Sequence, residues 1–403
     1  MSIPADPESP RRGAARVAGF GTSIFSEMSA LARQHGAVNL SQGFPDFPSP
    51  DWIRAAAQRA IAADGNQYAI SHGTPRLRQA LAAKEAALYG LTYDPDREVT
   101  VTSGATEAIF ATLLALLNPG EEAIVFEPCY DSYVPGIVMA GGVARPVRLE
   151  APGWSLDAAA LAAAITPRTR LILVNTPHNP TGKVFSAAEL AIIADLCRRH
   201  NLIAVTDEVY EHLVFPPARH VPLATLPGMW ERTVTINSTA KTFSLTGWKI
   251  GYACAPADLS DAIRRVHQFV VFCSVTPLQE AMAEAVTEAP ARDYYRTFLA
   301  EYTERRDYLY QVLAAADLHP QRPEGAYFIM CDVGHLGFAD DVAFARYLTT
   351  EVGVAAIPPS AFYQTPPPQQ LARFCFAKNP QTLQAAAARL TAWRSRPDPH
   401  LAP

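Results

Sequence analysis

The sequence predicts an α/β protein in which a mostly parallel sheet is covered by helices on both faces. Short apolar strands alternate with helical patterns from Val99 to Ala255, and this alternation is typical of βαβ units. Four of these strands end in clusters of polar residues. The chain has 403 residues, of which 49% are hydrophobic, so it is long enough to bury a large core and to form two or three domains.

Composition and charge argue against several classes of protein. The net charge of −5, without a basic stripe, argues against a nucleic-acid partner. No apolar run approaches the ~20 residues of a membrane span, and residues 1–16 lack the apolar core of a secretory signal. We therefore expect a soluble, cytoplasmic protein. The cysteines have no CxxC spacing and are interpreted as buried thiols of a reducing compartment, not as disulfides or a metal site: Cys129, Cys197, Cys254, Cys273, Cys331 and Cys375.

The segment before the first strand is predicted to contain three helices and a loop at 38–48. Residues 1–16 are expected to form a disordered or loosely held arm, and residues 26–34 a short helix. Two longer helices are predicted over 51–63, with Asp51 as the N-cap, and over 74–88.

The next segment supplies the strands and helices of the sheet. Apolar and β-branched runs predict the strands, and helical patterns lie between them. The predicted strands are 99–102, 123–126, 171–174, 202–205 and 233–238, and the predicted helices are 107–117 and 187–200, the second capped by Ser186.

Polar clusters follow four of these strands, at residues 103–106, 175–182, 206–210 and 238–241. In open α/β sheets, ligands bind beyond the carboxyl ends of the strands. We therefore expect the four clusters to converge on one edge of the sheet and to form a single site.

Each cluster has a chemical interpretation and a plainer structural alternative. The Ser-Gly-Ala-Thr turn at 103–106 either opens a helix whose free N–H groups bind an anion, or is an ordinary strand-to-helix turn. Asp207 either pairs with the protonated nitrogen of a bound pyridine ring, such as that of a cofactor, or caps a helix. Asn179 and Tyr210 are placed to hydrogen-bond a phenolic oxygen on that ring, whereas the segment 179–182 is alternatively a plain Pro-Gly turn.

The stretch from Ser238 to Lys249 is the centre of the predicted site. Hydroxyl residues surround Lys241, and a second cation, Lys249, stands eight residues later. A bound phosphate would satisfy several of these groups together. Lys241 is then the amine that forms a Schiff base with an aldehyde cofactor; the alternative is a polar turn with two solvated lysines. The sequence contains no metal-ligand spacing and no GxGxxG dinucleotide motif.

At these residues the chain resembles the class I/II pyridoxal-phosphate aminotransferases of fold type I. The resemblance extends from Gly21 to Leu390, and its most specific motifs are NxPxNPTG, TDEVY, SxxKTFSxTGWKxGY and RFCF at 373–376. Within the family the chain is most similar to the branch of bacterial methionine aminotransferases, glutamine transaminase K and kynurenine aminotransferases, through NLSQGFPDF, NQY and EPCYDSY. The resemblance implies a smaller α+β domain beside the main sheet, and pyridoxal 5′-phosphate as the cofactor.

The resemblance also implies roles for individual residues. Lys241 would carry the cofactor and transfer protons, Asp207 would hold the ring nitrogen, and Asn179 and Tyr210 would hold the ring oxygen. Tyr68 would reach the phosphate of the neighbouring subunit, which implies a homodimer with shared active sites. The remaining cofactor residues would be Gly104, Ala105, Ser238 and Lys249 at the phosphate and Tyr130 stacked on the ring.

The substrate residues are implied in the same way. Arg373, together with Asn179 and the backbone of Gly43, would bind the α-carboxylate, because a planar guanidinium suits a bidentate contact. Phe25 and Phe272 match positions that line the side-chain pocket in this branch.

The implied function is transfer of the amino group of methionine, glutamine, an aromatic amino acid or kynurenine to a 2-oxo acid. Cys273 stands where animal kynurenine aminotransferases carry a histidine, which argues against kynurenine as the preferred substrate. Alternatives with the same cofactor are β-elimination by a C–S lyase and transamination of succinyl-diaminopimelate. A regulator with an aminotransferase-like sensing domain would need an N-terminal helix-turn-helix, and we expect too few residues before the region of resemblance for one.

The predicted division of the chain has three parts. Residues 1–47 would form the N-terminal arm and part of the small domain, residues 48–286 the large cofactor-binding domain, and residues 287–403 the C-terminal small domain. The expected partners are an amino acid, a 2-oxo acid and a second copy of the chain, with no nucleic acid and no membrane.

Overall fold

The computed structural model describes residues 13–367 and 369–395. The arm predicted over 1–16 therefore lies mostly outside the described residues, although Ala15–Val17 forms a 3-10 turn. The α-helices are α1 (Ile24–Gln34), α2 (Asp51–Ala62), α3 (Pro75–Tyr89), α4 (Ala105–Leu116), α5 (Tyr133–Met139), α6 (Ala158–Ala164), α7 (Ala187–Arg199), α8 (Thr239–Thr242), α9 (Ala257–Val270), α10 (Thr276–Glu288), α11 (Tyr294–Ala315), α12 (Asp341–Tyr347) and α13 (Pro380–Arg394). The strands are β1 (Val38–Asn39), β2 (Val99–Thr102), β3 (Glu122–Glu127), β4 (Val143–Glu150), β5 (Ser155–Leu156), β6 (Thr169–Asn175), β7 (Ile203–Asp207), β8 (Thr233–Ser238), β9 (Gly251–Cys254), β10 (Pro320–Gln321), β11 (Phe328–Asp332), β12 (Val354–Ala355) and β13 (Leu371–Cys375).

Eight strands form the main sheet, in the order β2-β9-β8-β7-β6-β3-β4-β5. The neighbours from β4 to β8 are parallel to one another. β9 runs antiparallel to both β8 and β2, so β2 has the same direction as β8. The predicted mostly parallel sheet is confirmed, and β4, β5 and β9 are additions that the sequence patterns did not predict.

Helices cover both faces of this sheet. On β6, Leu171 and Leu173 pack with α4 and α9 on one face, whereas Ile172 and Val174 pack with α7 on the other. Successive side chains of a strand point to opposite faces, so a strand covered on both sides has a continuous apolar sequence. This explains why the run at 171–174 predicts a buried strand.

Two predicted helix caps have different outcomes. Ser186 caps α7 through a capping box with Glu189, in which each side chain accepts a hydrogen bond from the backbone N–H of the other residue. The prediction of Asp51 as an N-cap is wrong. Pro50 occupies the cap position of α2, and Asp51 is the first helical residue, where its carboxylate pairs with Arg54.

A smaller region combines both ends of the described chain. β10, β11 and β13 form an antiparallel sheet, and β1 pairs in parallel with β12, with Val38 opposite Val354. Phe298 and Leu309 of α11 share a core with Leu390 of α13. A smaller α+β region is therefore present, whereas the division at residues 47 and 286 stays a prediction.

Two further expectations concern the surface and the thiols. Across residues 13–367 and 369–395, none of the helices combines the length and the apolar character that crossing a membrane requires. All six cysteines are free; Cys273 is partly exposed and the other five are buried. The prediction of buried thiols is thus confirmed except at Cys273, which lies in an exposed turn after α9.

Candidate active site

The carboxyl ends of β2, β6, β7 and β8 lie on one edge of the main sheet, because β6, β7 and β8 are parallel and β2 shares their direction. A cavity of about 280 Å³ is lined by residues from all four polar clusters. This volume is near the lower end of the ~300–1,000 Å³ typical of ligand pockets. The predicted site residues that line it are Phe25, Gly43, Gly104, Ala105, Tyr130, Asn179, Asp207, Tyr210, Ser238, Lys241, Lys249 and Arg373.

Lys241 lies in the short helix α8, directly after β8. The side chain of Ser238 caps this helix by accepting a 3.1 Å hydrogen bond from the N–H of Ala240. The amine Nζ of Lys241 donates to the hydroxyl of Tyr327 at 2.9 Å and to the carbonyl of Gly43 at 3.3 Å. Burial lowers the pKa of Lys241 to about 8, because the charged form loses solvation. Near neutral pH, a much larger fraction of this amine is neutral than of an ordinary lysine.

Asp207 is the last residue of β7 and is buried. Its Oδ2 accepts a 2.6 Å hydrogen bond from the hydroxyl of Tyr133, and its Oδ1 accepts a 3.3 Å bond from the N–H of Val209. Burial raises the pKa of Asp207 to about 6. No cationic side chain in the described part of the chain lies within ion-pair distance of it. A turn follows Asp207, not a helix, so the alternative of a helix N-cap is wrong.

Arg373 is a buried cation on β13. Its Nη1 donates to Oδ1 of Asn179 at 2.8 Å and its Nη2 to the carbonyl of Ser41 at 3.0 Å, while Nε has no hydrogen-bond partner. The guanidinium carbon lies 4.0 Å from the ring centre of Phe328 and 5.1 Å from that of Phe25. Burial lowers the pKa of Arg373 to about 10. No described carboxylate forms an ion pair with this guanidinium, so an anion in the cavity would complete it.

The anion site predicted at 103–106 lies at the N-terminus of α4. Gly104 is the N-cap with φ +83°. The first N–H groups of a helix have no intrahelical acceptors, and here no side chain caps them either. A Cβ on Gly104 would lie 2.9 Å from Nζ of Lys249. Glycine at this position therefore lets the ammonium approach the helix N-terminus. Helix N–H groups and an ammonium together favour an oxyanion such as phosphate.

The Asn-Pro-Thr-Gly turn is fixed by Asn175 at the end of β6. The side chain of Asn175 accepts a 2.7 Å hydrogen bond from the N–H of Asn179 and donates a 2.8 Å bond to the carbonyl of Asp207. Gly182 has φ +74°, as a turn glycine would. The alternative of a plain turn explains Gly182 but not the buried amide of Asn179, which faces the cavity.

Two of the predicted tyrosines, Tyr130 and Tyr210, line the same cavity. The ring of Tyr210 lies 4.9 Å from that of Tyr327, edge to face, and the ring of Tyr130 lies 5.7 Å from that of Tyr133. Burial raises the pKa of both Tyr130 and Tyr210. Both phenols are therefore protonated near neutral pH and are available as hydrogen-bond donors.

Tyr68 and Phe272 are the predicted site residues that lie outside this cavity. Tyr68 is 83% exposed and Phe272 is 49% exposed, and their rings are 5.2 Å apart. Phe269, Val270 and Val275, which are near Phe272 in sequence, are also exposed. These five residues form what we call the exposed apolar patch.

Several residues of the site were not predicted from the sequence. Tyr133 lies in the EPCYDSY motif, where it is visible only as a marker of the resemblance. Tyr327 directly precedes β11, and Phe328 is the first residue of that strand. Neither follows a polar cluster, so no sequence pattern predicted them. Gln42 lines the cavity and donates a 3.0 Å hydrogen bond to the carbonyl of Phe25.

The chain is similar to known proteins over most of its length. A family model described as aminotransferase class I and II matches residues 36–390. A methionine aminotransferase of Escherichia coli (strain K12) is 43% identical over 371 residues, which cover 92% of this chain and 96% of that protein. A kynurenine–oxoglutarate transaminase of Dictyostelium discoideum is 40% identical over 404 residues, which cover 91% of this chain and 93% of that protein.

Solved structures extend the similarity to three dimensions. A structure from Escherichia coli, for which a methionine aminotransferase function was identified, has a TM-score of 0.91 and 42% identity, covering 95% of this chain and 100% of the other. The N-succinyldiaminopimelate aminotransferase of Mycobacterium tuberculosis has a TM-score of 0.91 and 46% identity, with 94% and 99% covered. These similarities span nearly the whole chain, so the predicted fold type I architecture is confirmed.

Proposed function

This chain belongs to the class I and II aminotransferases, and from that premise we propose that it uses pyridoxal 5′-phosphate to transfer the amino group of a large neutral L-amino acid to a 2-oxo acid. One observation carries the proposal: a single cavity contains a buried carboxylate without a cation, a buried guanidinium without an anion, and a lysine with a lowered pKa. The relatives named for methionine and kynurenine support the substrate class.

The residues of the cavity fit pyridoxal 5′-phosphate at both of its polar ends. Asp207 needs a cation, and a protonated pyridine nitrogen would supply one. The N-terminus of α4 at Ala105, with Ser238 and Lys249, would hold the phosphate. When bound, the cofactor supplies an aldehyde that takes up an amino group and a cationic ring that withdraws the electron pair left at Cα after proton removal.

Lys241 is proposed to carry the cofactor and to move the proton of the substrate Cα. Its lowered pKa keeps part of the amine neutral, and only the neutral amine is a nucleophile or a base. Tyr210 and Asn179 would donate hydrogen bonds to the ring oxygen, since Oδ1 of Asn179 already accepts from Arg373 and its amide N–H groups remain available. Tyr130 would pack on the ring face.

Arg373 is proposed to bind the α-carboxylate of the substrate. Its Nε is without a partner, and its position against two phenylalanine rings keeps it dry. A carboxylate paired with a desolvated guanidinium gains a charge-assisted, bidentate contact. Asn179 and the backbone of Gly43 lie in the same cavity and would complete this end of the site.

The side-chain pocket is proposed to accept neutral donors. Among the described residues, the cationic side chains that line the cavity are Lys241, Lys249 and Arg373, and the roles above use all three. A second carboxylate, as in aspartate, would be buried without a partner at a cost of several kcal/mol. Phe25 and Tyr130 instead suit a thioether or a ring, because sulfur–aromatic contacts contribute ~0.3–1.5 kcal/mol. Methionine, glutamine, aromatic amino acids and kynurenine fit these walls.

A homodimer with shared sites is proposed from the exposed apolar patch. Isolated soluble chains rarely expose contiguous apolar surface of this kind, and a second copy of the chain would bury it. In that arrangement Tyr68 would reach the phosphate and Phe272 the substrate pocket of the neighbouring subunit. We also propose a cytoplasmic location, since six free cysteines suit a reducing compartment.

A panel of donors tests the proposal. kcat/KM is measured for methionine, glutamine, phenylalanine, kynurenine and aspartate with one common 2-oxo acid, and products are identified. We expect the neutral donors to exceed aspartate and each turnover to yield the matching 2-oxo acid. Aspartate as the best donor would contradict the proposed pocket, and pyruvate with ammonia in the absence of an acceptor would indicate β-elimination.

Transamination of N-succinyl-diaminopimelate is the second candidate function. The solved aminotransferase for that substrate is 46% identical to this chain. Its distal carboxylates would require cations beyond the three that line the cavity, so we expect it to be the poorer donor. A kcat/KM for this compound above that of methionine would reverse the choice.

A further inference from the structure

The amine of Lys241 is held by two oxygens that no cluster in the sequence predicted. Its Nζ donates to the hydroxyl of Tyr327 at 2.9 Å and to the carbonyl of Gly43 at 3.3 Å, and the Tyr327 hydroxyl itself donates to the same carbonyl. We infer that Tyr327 is a positioning residue that orients the neutral amine of Lys241 and leaves its lone pair free to react. This inference rests on the proposed role of Lys241.

The hydrogen-bond inventory of the three groups supports this orientation. A phenol has one hydrogen, which Tyr327 donates to Gly43, so its oxygen faces Lys241 only as an acceptor. A neutral amine has two N–H groups and one lone pair. Its two N–H groups are matched by the two oxygens, so the lone pair is unused. An ammonium would have a third N–H without a partner among the described residues, so the two oxygens satisfy the neutral amine completely and the ammonium only in part.

Tyr327 is held rigidly enough to act in this way. Its side chain is fully buried, and its ring lies 4.9 Å from the ring of Tyr210 and 6.2 Å from that of Tyr302. Its carbonyl accepts a 3.0 Å hydrogen bond from the N–H of Phe376 in the strand region beside it. Burial raises the pKa of Tyr327, so the phenol is neutral at physiological pH.

Gly43 brings the second oxygen close for a steric reason. A Cβ at this position would lie 2.9 Å from Cζ of Phe328 and 3.5 Å from Cε2 of Tyr327. Glycine therefore allows the loop to lie directly on these rings with its carbonyl facing the amine. Tyr327, Gly43 and Lys241 come from three separate parts of the chain, and the tyrosine joins the other two.

The rate at which the apoenzyme captures pyridoxal 5′-phosphate tests the inference. In this step the Lys241 nitrogen bonds to the aldehyde carbon, and the aldehyde oxygen leaves as water with the two hydrogens of the neutral amine. The rise in visible absorbance measures the rate. The rate should rise with pH and reach a plateau when Lys241 is fully neutral. In Tyr327→Phe we expect this plateau rate to fall about tenfold, which corresponds to the loss of one hydrogen bond. The midpoint of the rate–pH curve should move to lower pH, because an acceptor that also stabilised the ammonium is gone. Tyr302→Phe, in the same ring cluster, is the matched control and should leave both values unchanged.

A merely structural tyrosine would behave differently. Replacing it would lower the unfolding temperature and leave the plateau rate and the pH midpoint as in the wild type. That result would overturn this inference but not the proposed function. If the wild type fixes the cofactor at another lysine, the proposed function fails, and this inference fails with it.

A double-mutant cycle on the apoenzyme checks the contact without any cofactor. The thermal midpoints of Lys241→Ala, Tyr327→Phe and the double variant should be non-additive, because residues in contact couple. Additive shifts would overturn the inference even if capture slows. This cycle also decides the matter if Tyr327→Phe proves too unstable for kinetic work.

Discussion

The hydroxyl of Tyr133 donates a 2.6 Å hydrogen bond to Oδ2 of Asp207, at the point where β7 ends. Effects of opposite sign act on the pKa of this carboxyl. Burial raises the pKa, and the hydrogen bond from Tyr133, the N–H of Val209 and the charge of Lys241 lower it, with a net pKa of about 6. Tyr133 therefore helps to keep Asp207 ionised at neutral pH, which is the form that a cationic ring needs.

Tyr133→Phe should move the pH dependence of cofactor binding. Without its donor, the pKa of Asp207 rises above about 6, because a hydrogen bond to the charged form is lost. Affinity for pyridoxal 5′-phosphate, which needs the ionised carboxylate, should then weaken at a higher pH than in the wild type. Titrating the apoenzyme with cofactor at a series of pH values measures this shift. Tyr93→Phe, at a buried tyrosine outside the cavity, is the control, and coincident curves for all three proteins would contradict the role of Tyr133.

Asp207→Asn should separate binding from turnover. The substitution keeps the shape of the side chain and removes the charge that holds the ring protonated. We expect cofactor binding to survive in large part while the rate falls by about 10²-fold or more, as when a preorganised electrostatic partner is lost. Glu208→Gln, at the next buried acid, which contacts His220 at 2.7 Å and not the cavity, should retain turnover. Near-normal single-turnover rates in Asp207→Asn would contradict the proposed role of the Asp207 carboxylate.

Arg373→Gln should impair substrates that carry an α-carboxylate far more than it impairs folding. The substitution removes hydrogen bonds to Asn179 and Ser41 but also removes a buried cation without an anion, so the thermal midpoint of the apoenzyme should fall only modestly. For methionine, kcat/KM should fall by about 10²–10³-fold, or roughly 3–4 kcal/mol, within the range for a broken buried charge pair. The matched control is an amine that lacks the carboxylate, whose slow reaction should not change. Equal losses for both substrates would contradict the carboxylate contact.

Mixed dimers test whether Tyr68 acts across subunits. If it reaches the neighbouring site, a dimer of one Lys241→Ala subunit and one Tyr68→Ala subunit contains one site with both defects and one intact site. After random subunit exchange in an equal mixture, about half of the dimers are mixed and each of these has one good site in two. The mixture should then recover about a quarter of the wild-type activity. Activity no higher than the sum of the two separate variants would mean that Tyr68 acts within its own chain or not at all.

The sheet and most of the cavity were predictable because their signals are local. The run at 171–174 is apolar throughout because both faces of β6 are covered, and the polar clusters stand directly after their strands. Strand β9 has only four residues, and β4 is partly exposed, so neither produces a long apolar or alternating run. Aspartate is a common N-cap residue, but Pro50, directly before Asp51, occupies the cap position.

The contacts that tune the site were not predictable, because they join distant segments. Tyr133 and Asp207 are 74 residues apart in sequence, and Tyr327 and Gly43 are 284 apart. No periodicity or spacing connects such pairs. Tyr133 meets Asp207 because α5 packs against the main sheet, and Tyr327 meets Gly43 because the loop that contains Gly43 packs on the rings at the start of β11. Arg373 was identified through the resemblance to a family, since nothing in its own strand distinguishes it from a surface arginine.

Borohydride reduction followed by peptide mapping decides whether Lys241 carries the cofactor. Enzyme loaded with pyridoxal 5′-phosphate should absorb in the visible, and reduction should fix the cofactor on the one peptide that contains Lys241. Lys249→Ala should keep this attachment with weaker affinity, because its ammonium lies beside the predicted phosphate end at Gly104. Lys241→Ala should lose the visible band and the attachment altogether. Cofactor fixed at any other lysine of the wild-type protein, or an unchanged band in Lys241→Ala, would contradict the assignment on which the mechanism depends.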